Sequence, residues 1–464
     1  MVMAEYEFDL AVVGSGGAAM AAAITARQSG KTVVLIERAV LGGTCVNVGC
    51  VPSKTLLAAA GNRHAALNNP FPGAPTSAGT IDLQSLLTQK DALIEHLRGA
   101  KYADVAASYG FEIRAGEASF LDNETLAVDG VPLSARSFIV ATGAGPALPE
   151  MTGLDEMEYL TSTSAMEQTS LPESLIVIGG GYVGLEQAQL FAHLGSTVTI
   201  IGRIAPAAEP ELASILRTAL IDAGIIVVEE HAVSVSAVSG GVTVSTGSRV
   251  VLHAEKLLIA TGRTARTDGL NLDAAGVAID EQGFITVDDR QRTSNPRVFA
   301  AGDVTGGPQY VYVAAASGKA AAHNALQNSP ADASARLDYT GLPAVIFTRP
   351  QLAIAGLTEA EAVAGGYQCE CRVLGFEDLP RALVNHDTNG AIKMVADAHT
   401  GQILGLSAVG DGVGEIMLAA TYAIRAGMTT RHIIDTWAPY LTMSESFRLV
   451  AGLFHNEMPT SCCA

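Results

Sequence analysis

The sequence predicts an α/β chain with two copies of a strand–glycine turn–helix–strand unit, followed by a region of α+β character. Residues 8–37 hold the first copy, "FDLAVVGSGGAAMAAAITARQSGKTVVLIE", and residues 175–203 hold the second, "LIVIGGGYVGLEQAQLFAHLGSTVTIIGR". From about Leu342 onward the glycine patterns stop, and strands such as "AIKMVAD" alternate with helices such as "GEIMLAATYAIRAG". A chain of 464 residues is long enough for two to four domains, which agrees with this division.

The first unit has the pattern of a dinucleotide-binding, or Rossmann, fold. Gly14, Gly16 and Ala19 follow an apolar strand in G-x-G-x-x-A spacing. Glycines there allow a tight turn and a close approach of the backbone to a pyrophosphate at the helix N-terminus. Glu37 ends the second strand, where a carboxylate accepts hydrogen bonds from a ribose 2′-OH. We therefore predict a site for a cofactor with a free adenosine ribose.

The second unit repeats the glycines but not the acid. Gly179, Gly181 and Gly184 show the full G-x-G-x-x-G spacing. Gly202 follows Gly179 by 23 residues, the same interval that separates Glu37 from Gly14 in the first copy, and Arg203 stands next to it. A carboxylate would repel a 2′-phosphate, whereas an arginine would bind it. The second site is therefore predicted to prefer NADPH.

Three further segments belong to these nucleotide-binding halves. "FIVATGAGP" and "LLIATGRTA", the latter with Gly262, close the two halves, and "VFAAGDVTG" places Gly302 and Asp303 in a third glycine turn after a strand. Two dinucleotide folds in one chain imply two cofactors that exchange electrons. Between Gly143 and Gly153, the proline- and glycine-rich stretch indicates a passage from one domain to the next.

Composition excludes several classes of partner. The formal net charge of −19 argues against nucleic acid and anionic membranes. No run of 18 or more apolar residues occurs, so no membrane span is predicted. The N-terminus carries Glu5, Glu7 and Asp9 where a signal peptide needs positive charge, so we expect a cytoplasmic protein. The six cysteines of the chain occur as three pairs that are close in sequence, which indicates redox or metal chemistry rather than structural disulfides.

One cysteine pair directly follows the first unit, in "LGGTCVNVGCVPSKTL". Cys45 and Cys50 could be buried cysteines at the start of a helix, or half of a zinc site, but no further Cys or His at suitable spacing is near. A helix N-terminus and Lys54 would both lower the pKa of a thiol there. The resulting thiolate could bind metal or exchange electrons with a flavin.

The segment "GGTCVNVGCVPSK" resembles the redox-active motif of the flavin-dependent pyridine nucleotide–disulfide oxidoreductases. The resemblance covers essentially the whole chain, and it implies tightly bound FAD, NADPH as reductant, and a homodimer whose active sites are shared across subunits. It also implies two Rossmann-like domains plus a C-terminal α+β dimerisation domain. The expected boundaries are 1–150 for the first part of the FAD domain, 151–275 for the NADPH domain, 276–340 for the second part of the FAD domain, and 341–464 for the interface domain.

The same resemblance assigns roles to particular residues. It implies that Cys50 is the sulfur against the flavin and that Cys45 is the outer sulfur that meets substrate. Lys54 would pair with Glu186 near the flavin, and Tyr182 would stand at the nicotinamide pocket. The remaining FAD contacts implied are Thr44, Asp303 and the backbone at Ala19, Ala118 and Val311.

One departure from the family narrows the predicted activity. Disulfide reductases of this family carry His-Pro-Thr-x-x-Glu near the C-terminus, whereas this chain has "PYLTMSES". Tyr440 stands at the histidine position, while Thr442 and Glu445 remain. A tyrosine with an ordinary pKa of about 10 is a poor proton shuttle at neutral pH. The change counts against disulfide reduction, because a leaving thiolate needs a proton and a leaving metal atom does not.

The chain ends in "SCCA", with adjacent Cys462 and Cys463. Neighbouring Cα atoms lie about 3.8 Å apart, less than the roughly 4.4–6.8 Å of a relaxed disulfide. The pair is therefore either two ligands for a soft metal or incidental cysteines in a frayed terminus. Together with Tyr440 and Tyr182, the tail resembles the family members that reduce Hg(II), many of which carry an extra N-terminal metal-binding domain. This chain begins at the first strand, so we expect either a short member of this group or the truncated catalytic core of a longer one.

The resemblance implies NADPH-dependent reduction of thiolate-bound Hg(II) to Hg(0). It also implies that Cys45, Cys50, Cys462 and Cys463 hold the metal and that the tail serves the partner subunit. Two alternatives are a disulfide reductase and a thiol-based metal-sequestering protein, although a sequestering protein has no use for two nucleotide sites. Cys369 and Cys371 alternate with Glu370 and are predicted to be incidental strand cysteines, with a third metal site as the alternative.

Overall fold

A computed structural model describes residues 6–327 and 334–457, and it divides into two compact units. Unit 1 comprises Met1–Thr55, Gln84–Leu148 and Gly262–Asp338. Unit 2 comprises Leu56–Leu83, Pro149–Thr261 and Tyr339–Ala464. No helix in the described ranges is both long and apolar enough to cross a membrane.

Unit 1 is a predominantly parallel sheet with helices. Its strands are β1 (Phe8–Val13), β2 (Val33–Glu37), β3 (Glu112–Ala115), β4 (Ala118–Phe120), β5 (Thr125–Val128), β6 (Val131–Val140), β7 (Ala144–Pro146), β15 (Arg263–Ala265) and β16 (Val298–Ala300). Its helices are α1 (Gly17–Gln28), α2 (Gly43–Asn47), the start of α3 (Cys50–Leu67), α4 (Leu83–Arg98), α5 (Asp104–Tyr109) and α9 (Val311–Ala325), with a π-helical turn at Gly99–Ala103.

The strand order in the main sheet of unit 1 is β3-β2-β1-β6-β5-β4, with β16 beside β6. The strands β3, β2, β1, β6 and β16 run parallel, and β5 and β4 add an antiparallel edge. Buried aliphatic strand residues such as Leu10 and Val12 pack against α1, whose buried positions are nearly all alanine. Small residues let α1 and α9 approach closely: a Cβ on Gly318 would lie 2.0 Å from the carbonyl oxygen of Ala18.

Unit 2 contains a second parallel sheet, of order β10-β9-β8-β14, and an antiparallel sheet of order β11-β12-β13. Its N-terminal elements are α6 (Ser162–Ala165), β8 (Ser174–Ile178), α7 (Tyr182–Leu194), β9 (Thr197–Ile201), α8 (Pro210–Asp222), β10 (Ile226–Val228), β11 (Ala232–Val238), β12 (Gly241–Thr246), β13 (Val251–Ala254) and β14 (Lys256–Ile259).

The C-terminal part of unit 2 has a five-stranded antiparallel sheet of order β17-β18-β21-β20-β19. Its elements are β17 (Pro343–Ile346), β18 (Gln351–Gly356), α10 (Glu359–Ala364), β19 (Cys369–Gly375), α11 (Pro380–Asn385), β20 (Ala391–Asp397), β21 (Ile403–Gly410), α12 (Met417–Arg425), α13 (Thr430–Ile434) and α14 (Glu445–Gly452). The sheet and these helices enclose one apolar core around Phe376, Met394 and Leu406, as predicted for an α+β region.

Candidate active site

The first glycine turn is held by close backbone packing. Gly14 directly follows β1 and has a φ of +110°, a conformation that L side chains rarely adopt. A Cβ on Gly14 would also lie 2.4 Å from the carbonyl oxygen of Ala141, which follows β6. Gly16 then caps α1 in an extended conformation. The sequence needs glycine at position 14 because both the turn and the neighbouring chain exclude a side chain.

Glu37 is held in place at the end of β2. The Ser15 hydroxyl donates to Glu37 Oε2 at 2.5 Å, and the backbone N–H of Ala39 donates to Oε1 at 2.9 Å. The N–H of Gly42 in turn donates to Ser15 Oγ at 3.0 Å. Both carboxylate oxygens are therefore oriented before any ligand binds, which suits a group that must accept hydrogen bonds from a ribose.

The cysteine pair lies against this turn. Gly42 and Gly43 both have positive φ angles, and a Cβ on Gly43 would lie 2.7 Å from Gly16 Cα. This close crossing brings α2, which carries Thr44 and Cys45, directly to the glycine turn. Cys50 is the first residue of α3. The structure thus brings the predicted nucleotide turn and the predicted dithiol together within unit 1.

The surroundings of Cys45 favour its protonated form. The pKa of Cys45 is raised well above its ordinary value, first because its thiol hydrogen-bonds to Cys50 and then because it is buried. The charge on Lys54 acts in the opposite direction but does not prevail. The expected lowering by Lys54 is therefore present at Cys45 but is outweighed there, and a thiolate in this pair stays a prediction.

Two arginines surround the third glycine turn. Gly302 has a φ of +79°, and the following residue, Asp303, starts a short 3₁₀ turn. Burial raises the pKa of Asp303, while the neighbouring charges of Arg263 and Arg266 oppose that rise. Arg263 Nη2 lies 3.5 Å from Asp303 Oδ2 and donates to the carbonyl of Ala144 at 2.6 Å. The other predicted FAD contacts are Ala19, buried in α1, Ala118, buried at the start of β4, and Val311, the first residue of α9.

The second glycine turn repeats the first one in unit 2. Gly179 has a φ of +117°, and a Cβ there would lie 2.2 Å from the carbonyl oxygen of Ala260. A Cβ on Gly184 would lie 2.0 Å from the carbonyl oxygen of Gly179, so the helix start also requires glycine. By contrast, a Cβ on Gly181 meets no atom within 4 Å. Open space above Gly181 is what a bound phosphate needs.

At the end of β9, the second turn differs from the first. Gly202 has a φ of +139°, and a Cβ there would lie 3.1 Å from the backbone nitrogen of Gly180. The next residue, Arg203, has an exposed side chain. The strand end therefore carries an exposed arginine in place of the fixed carboxylate of Glu37, and binding of a 2′-phosphate by this arginine stays a prediction.

Tyr182 and Glu186 lie on α7, directly after this turn. Tyr182 is the first residue of the helix, and Glu186 is buried and accepts a hydrogen bond from the backbone N–H of Phe347 at 3.0 Å. Lys54 belongs to unit 1, whereas Glu186 belongs to unit 2. Their pairing stays a prediction. Gly262 opens the last segment of unit 1, and its φ of +132° again requires glycine.

Comparison with protein families agrees with this geometry. The family model "pyridine nucleotide-disulphide oxidoreductase" matches residues 8–318, and the model of that family's dimerisation domain matches residues 342–451. The chain belongs to the pyridine nucleotide-disulphide oxidoreductase family. The predicted fold class and the resemblance drawn from the cysteine motif are both confirmed.

Within the family, several relatives that are similar over the full chain are mercuric reductases. A mercuric reductase of Streptomyces lividans is 46% identical over 100% of both chains. A mercuric reductase of Lysinibacillus sphaericus is 45% identical over 99% of this chain and 85% of its own length. A mercuric reductase of Staphylococcus aureus is 42% identical over 99% of this chain and 84% of its own length.

A solved structure has the same fold at lower sequence identity. The Escherichia coli flavoprotein disulfide reductase RclA, described as induced by HOCl, aligns with a TM-score of 0.83 and 29% identity. The alignment covers 96% of this chain and 99% of that chain. A Cu(II) complex of the same protein aligns with a TM-score of 0.82 and 28% identity, and the alignment covers 94% of this chain and 98% of that chain.

The C-terminal motif departs from the family's His-Pro-Thr-x-x-Glu in backbone as well as in side chain. Leu441 stands at the proline position with a φ of +58°, which proline cannot adopt because its ring fixes φ near −65°. Tyr440 is half exposed, and the Thr442 hydroxyl donates to the carbonyl of Pro439. Glu445 is buried, and its Oε2 has no hydrogen-bond partner among the described residues. The predicted metal ligands Cys462 and Cys463 lie outside the described residues.

Two parts of the site were missed from the sequence. Tyr102 lies in the π-helical turn Gly99–Ala103, beside Gly42, and its pKa is raised by burial and then by Cys45 and Cys50. No motif marks it, although π-helical turns are frequent at functional sites. Arg263, the partner of Asp303, was also missed. Its signal was present as the cation that directly follows the glycine of "ATGR".

Proposed function

We propose that this protein is an NADPH-dependent flavoenzyme that reduces thiolate-bound Hg(II) to Hg(0), and that it acts in mercury detoxification in the cytoplasm. The observation that carries the proposal is the cysteine pair Cys45 and Cys50 packed onto a nucleotide-binding turn. The mercuric reductases that resemble the chain over its full length support this assignment.

The residues present fit the two nucleotides that the family name implies. Gly14 and Gly179 make turns in which a Cβ would collide with neighbouring backbone, and Gly181 leaves open space for a pyrophosphate. The Glu37 carboxylate, held by Ser15, suits the free ribose of FAD, and Arg203 suits the 2′-phosphate of NADPH. When bound, FAD relays two electrons from NADPH to the metal.

The cysteines exchange ligands with the incoming complex. Each thiol of the protein forms one Hg–S bond, and each small thiolate leaves with the proton that the cysteine gives up. Two electrons then reduce Hg(II) to Hg(0), both Hg–S bonds break, and both electron pairs stay on the sulfurs. Because Cys45 hydrogen-bonds to Cys50, the two sulfurs are close enough to exchange ligands with one metal ion in turn. The atom that leaves needs no proton.

The C-terminal motif favours metal over disulfide as substrate. A disulfide reductase must protonate a leaving thiolate, and a histidine is suited to that step because its pKa lies near neutral pH. Here Tyr440 holds the position, on a backbone that cannot accommodate the motif's proline. A disulfide reductase remains the second candidate because the structural neighbour from Escherichia coli carries that name.

A homodimer would complete the site. The dimerisation domain supports association, and Trp437 of unit 2 has a side chain that is 98% exposed in the single chain. We infer that the tail cysteines Cys462 and Cys463 collect Hg(II) from small thiols and pass it to Cys45 and Cys50 of the partner subunit. Two adjacent thiols suit this task because the second is always within reach of a half-transferred ion.

Turnover with different oxidants tests the proposal. The purified protein should oxidise NADPH when Hg(II) is supplied with excess thiol, and barely with oxidised glutathione or lipoamide. Replacement of Cys50 by Ala should abolish Hg(II) reduction and the long-wavelength charge-transfer absorption, while FAD stays bound. Fast disulfide turnover without metal would contradict the proposal and support the second candidate.

A mixed dimer tests delivery between subunits. One subunit would carry Cys462→Ala and Cys463→Ala, and the other would carry Cys45→Ala and Cys50→Ala. Delivery across the interface leaves this dimer one intact set of four thiols, so about half of the wild-type activity is expected. Delivery within one chain leaves no intact set, and an inactive mixed dimer would contradict the inferred exchange.

A further inference from the structure

The third cysteine pair, Cys369 and Cys371, lies on β19, an edge strand of the five-stranded sheet. The two residues pair with Asp397 and Val395 of β20, so their side chains alternate with Glu370 and share one face. Both cysteines are reduced and partly buried. The pair therefore presents two thiols in fixed register, as the sequence predicted for a strand.

The parallel side chains of the pair make a relaxed disulfide unfavourable. Residues i and i+2 of a strand lie roughly 6.7 Å apart, and side chains on one face are nearly parallel. A disulfide needs Cβ atoms about 3.5–4.5 Å apart, so the strand would have to distort. Two collinear metal–thiolate bonds of about 2.3 Å each span roughly 4.6 Å between sulfurs. Side-chain rotation alone can bring the two sulfurs to that separation.

The surroundings favour a soft, two-coordinate ion. An apolar floor of Ala362, Val395 and Leu404 packs under both cysteines. Among the described residues, neither cysteine belongs to a set of three or more clustered His, Cys, Asp or Glu ligand atoms. The site therefore lacks the four ligands that a zinc ion requires, but it supplies the two sulfurs that a two-coordinate ion requires.

A neighbouring acidic cluster is already filled by an ammonium group. Lys393 Nζ lies 2.9 Å from Glu209, 2.6 Å from Glu211 and 2.7 Å from Glu359. Burial opposes its charge, but the three hydrogen bonds prevail and raise the pKa of Lys393. These carboxylates therefore bind Lys393 rather than a metal ion. Three negative charges against one positive charge nevertheless leave a net negative field beside Cys371, which attracts cations.

From this geometry, we propose that Cys369 and Cys371 form a second binding site for a soft, thiophilic cation such as Hg(II), held between two sulfurs on one face of β19. The site uses neither Cys45 nor Cys50 and does not depend on the proposed catalytic function. Binding is a ligand exchange: two Hg–S bonds to small thiolates break, two Hg–S bonds to the protein form, and the two cysteine protons leave with the displaced thiols. No electrons are transferred.

The environment of Cys371 predicts how binding depends on pH. Burial and then the charge of Glu359 raise the pKa of Cys371 to about 12. Lys393 opposes this rise, and Cys369 adds to it. When Hg²⁺ is supplied as HgCl₂, without competing thiols, each Hg–S bond that forms releases a proton, so the apparent affinity should increase as pH rises through the neutral range.

The test uses the FAD-loaded full-length protein with Cys45, Cys50, Cys462 and Cys463 replaced by Ser, which leaves Cys369 and Cys371 as its only cysteines. Titration with HgCl₂ should give one Hg(II) per chain by native mass spectrometry and should consume both thiols. Removal of the metal should require at least about 100-fold more glutathione than in the same protein with Cys371→Ser, because two sulfurs on one scaffold act together.

A matched control moves one thiol to the other face. In the four-serine protein, Cys371→Ser with Glu370→Cys keeps two cysteines on β19 but points them in opposite directions. This variant should lose Hg(II) to glutathione as readily as the single-cysteine protein. Equal retention by both two-cysteine proteins, or equal loss from the intact pair and the single-cysteine protein, would overturn the proposal.

A second measurement does not rely on the multiple variant. Wild-type protein and its Cys369→Ser, Cys371→Ser variant should differ by one Hg(II) per chain at saturation. Treatment of the wild type with the thiol oxidant diamide should produce no Cys369–Cys371 disulfide by peptide mass spectrometry. Equal stoichiometry, or a ready disulfide between these two residues, would contradict the two-sulfur geometry.

Discussion

The two nucleotide turns of this protein share one backbone solution and differ in one side chain. A Cβ added to Gly14 would lie 2.4 Å from the carbonyl oxygen of Ala141. A Cβ added to Gly179 would lie 2.2 Å from the carbonyl oxygen of Ala260. The strand ends then diverge, because the first offers the fixed carboxylate of Glu37 and the second has a glycine. The shared part is typical of a nucleotide-binding turn, and we expect the part that differs to select the nucleotide.

The helices that follow the turns differ as well. The buried positions of α1 are alanines and one methionine, whereas α7 buries Glu186, Gln187, Gln189 and His193. His193 stacks on His64 of α3, with ring centroids 3.8 Å apart, and its Nε2 has no hydrogen-bond partner among the described residues. The first helix is adapted to close packing alone, while the second also carries buried polar groups, among them His193, whose pKa burial lowers.

The largest expected effect comes from the shared part. Gly179→Ala adds a Cβ at 2.2 Å from a backbone oxygen at a positive φ, so unit 2 should lose about 3 kcal/mol or more of unfolding free energy. Gly181→Ala is the matched control, since its Cβ meets no protein atom. It should unfold like the wild type in urea but bind NADPH at least about 10-fold more weakly. Equal stability of both variants would refute the packing argument.

The next largest effect is the loss of stability at acidic pH that is expected from His193 on α7. Burial, with help from His64 and Arg349, lowers the pKa of His193 to about 3, below an unfolded value of about 6.5. Only the unfolded chain then gains this proton between those values. Stability should therefore be unaffected above about pH 6.5 and fall by up to roughly 1.4 kcal/mol per pH unit below it. His193→Phe keeps a ring against His64 and should flatten this slope in urea unfolding followed by circular dichroism.

The exposed His323 on α9 supplies the control for this experiment. His323→Phe should leave the unfolding free energy within about 0.5 kcal/mol of the wild type. If His193→Phe retained the full acid slope, another group with a lowered pKa would be responsible, with His64 as the first to consider, because burial lowers its pKa as well.

A smaller effect is expected from the ribose carboxylate. Ser15→Ala removes the 2.5 Å hydrogen bond to Glu37 and the acceptor of the Gly42 N–H. A hydrogen bond to a charged group contributes about 1.5–3 kcal/mol, so FAD should dissociate roughly 10- to 100-fold more readily. Flavin fluorescence after dilution would measure the release. Ser29→Ala, on an exposed hydroxyl that bonds within its own helix, should retain FAD.

The smallest expected effect is a change in nucleotide preference when Arg203, which follows the second turn, is replaced. Arg203→Glu should weaken NADPH binding and shift the ratio of kcat/KM for NADPH and NADH toward NADH by about 10-fold. Lys256→Glu, at the start of β14 away from this strand end, provides a charge-matched control. An unchanged ratio in Arg203→Glu would mean that Gly202 and Arg203 do not select the 2′-phosphate.

Local patterns in the sequence were sufficient for much of this fold. The strand expected to end at Glu37 is β2, "AIKMVAD" is β20, and the helix expected around "GEIMLAATYAIRAG" is a 3₁₀ turn followed by α12. Glycine spacing and apolar periodicity depend on neighbouring residues, so they can be read directly. The pair Cys45 and Cys50 could be predicted for the same reason, since only four residues separate the two cysteines, whereas folding brings the pair to the first turn.

Tertiary structure decided whatever depends on distances between remote segments. The Lys393 cluster joins residues 209, 211, 359 and 393, and Tyr102 approaches Gly42 from 60 residues away. The pKa of Cys45 rises because its thiol meets Cys50 in a buried site, a balance that the helix start and Lys54 alone would reverse. Desolvation and hydrogen bonding act through space, and only the folded chain sets those separations.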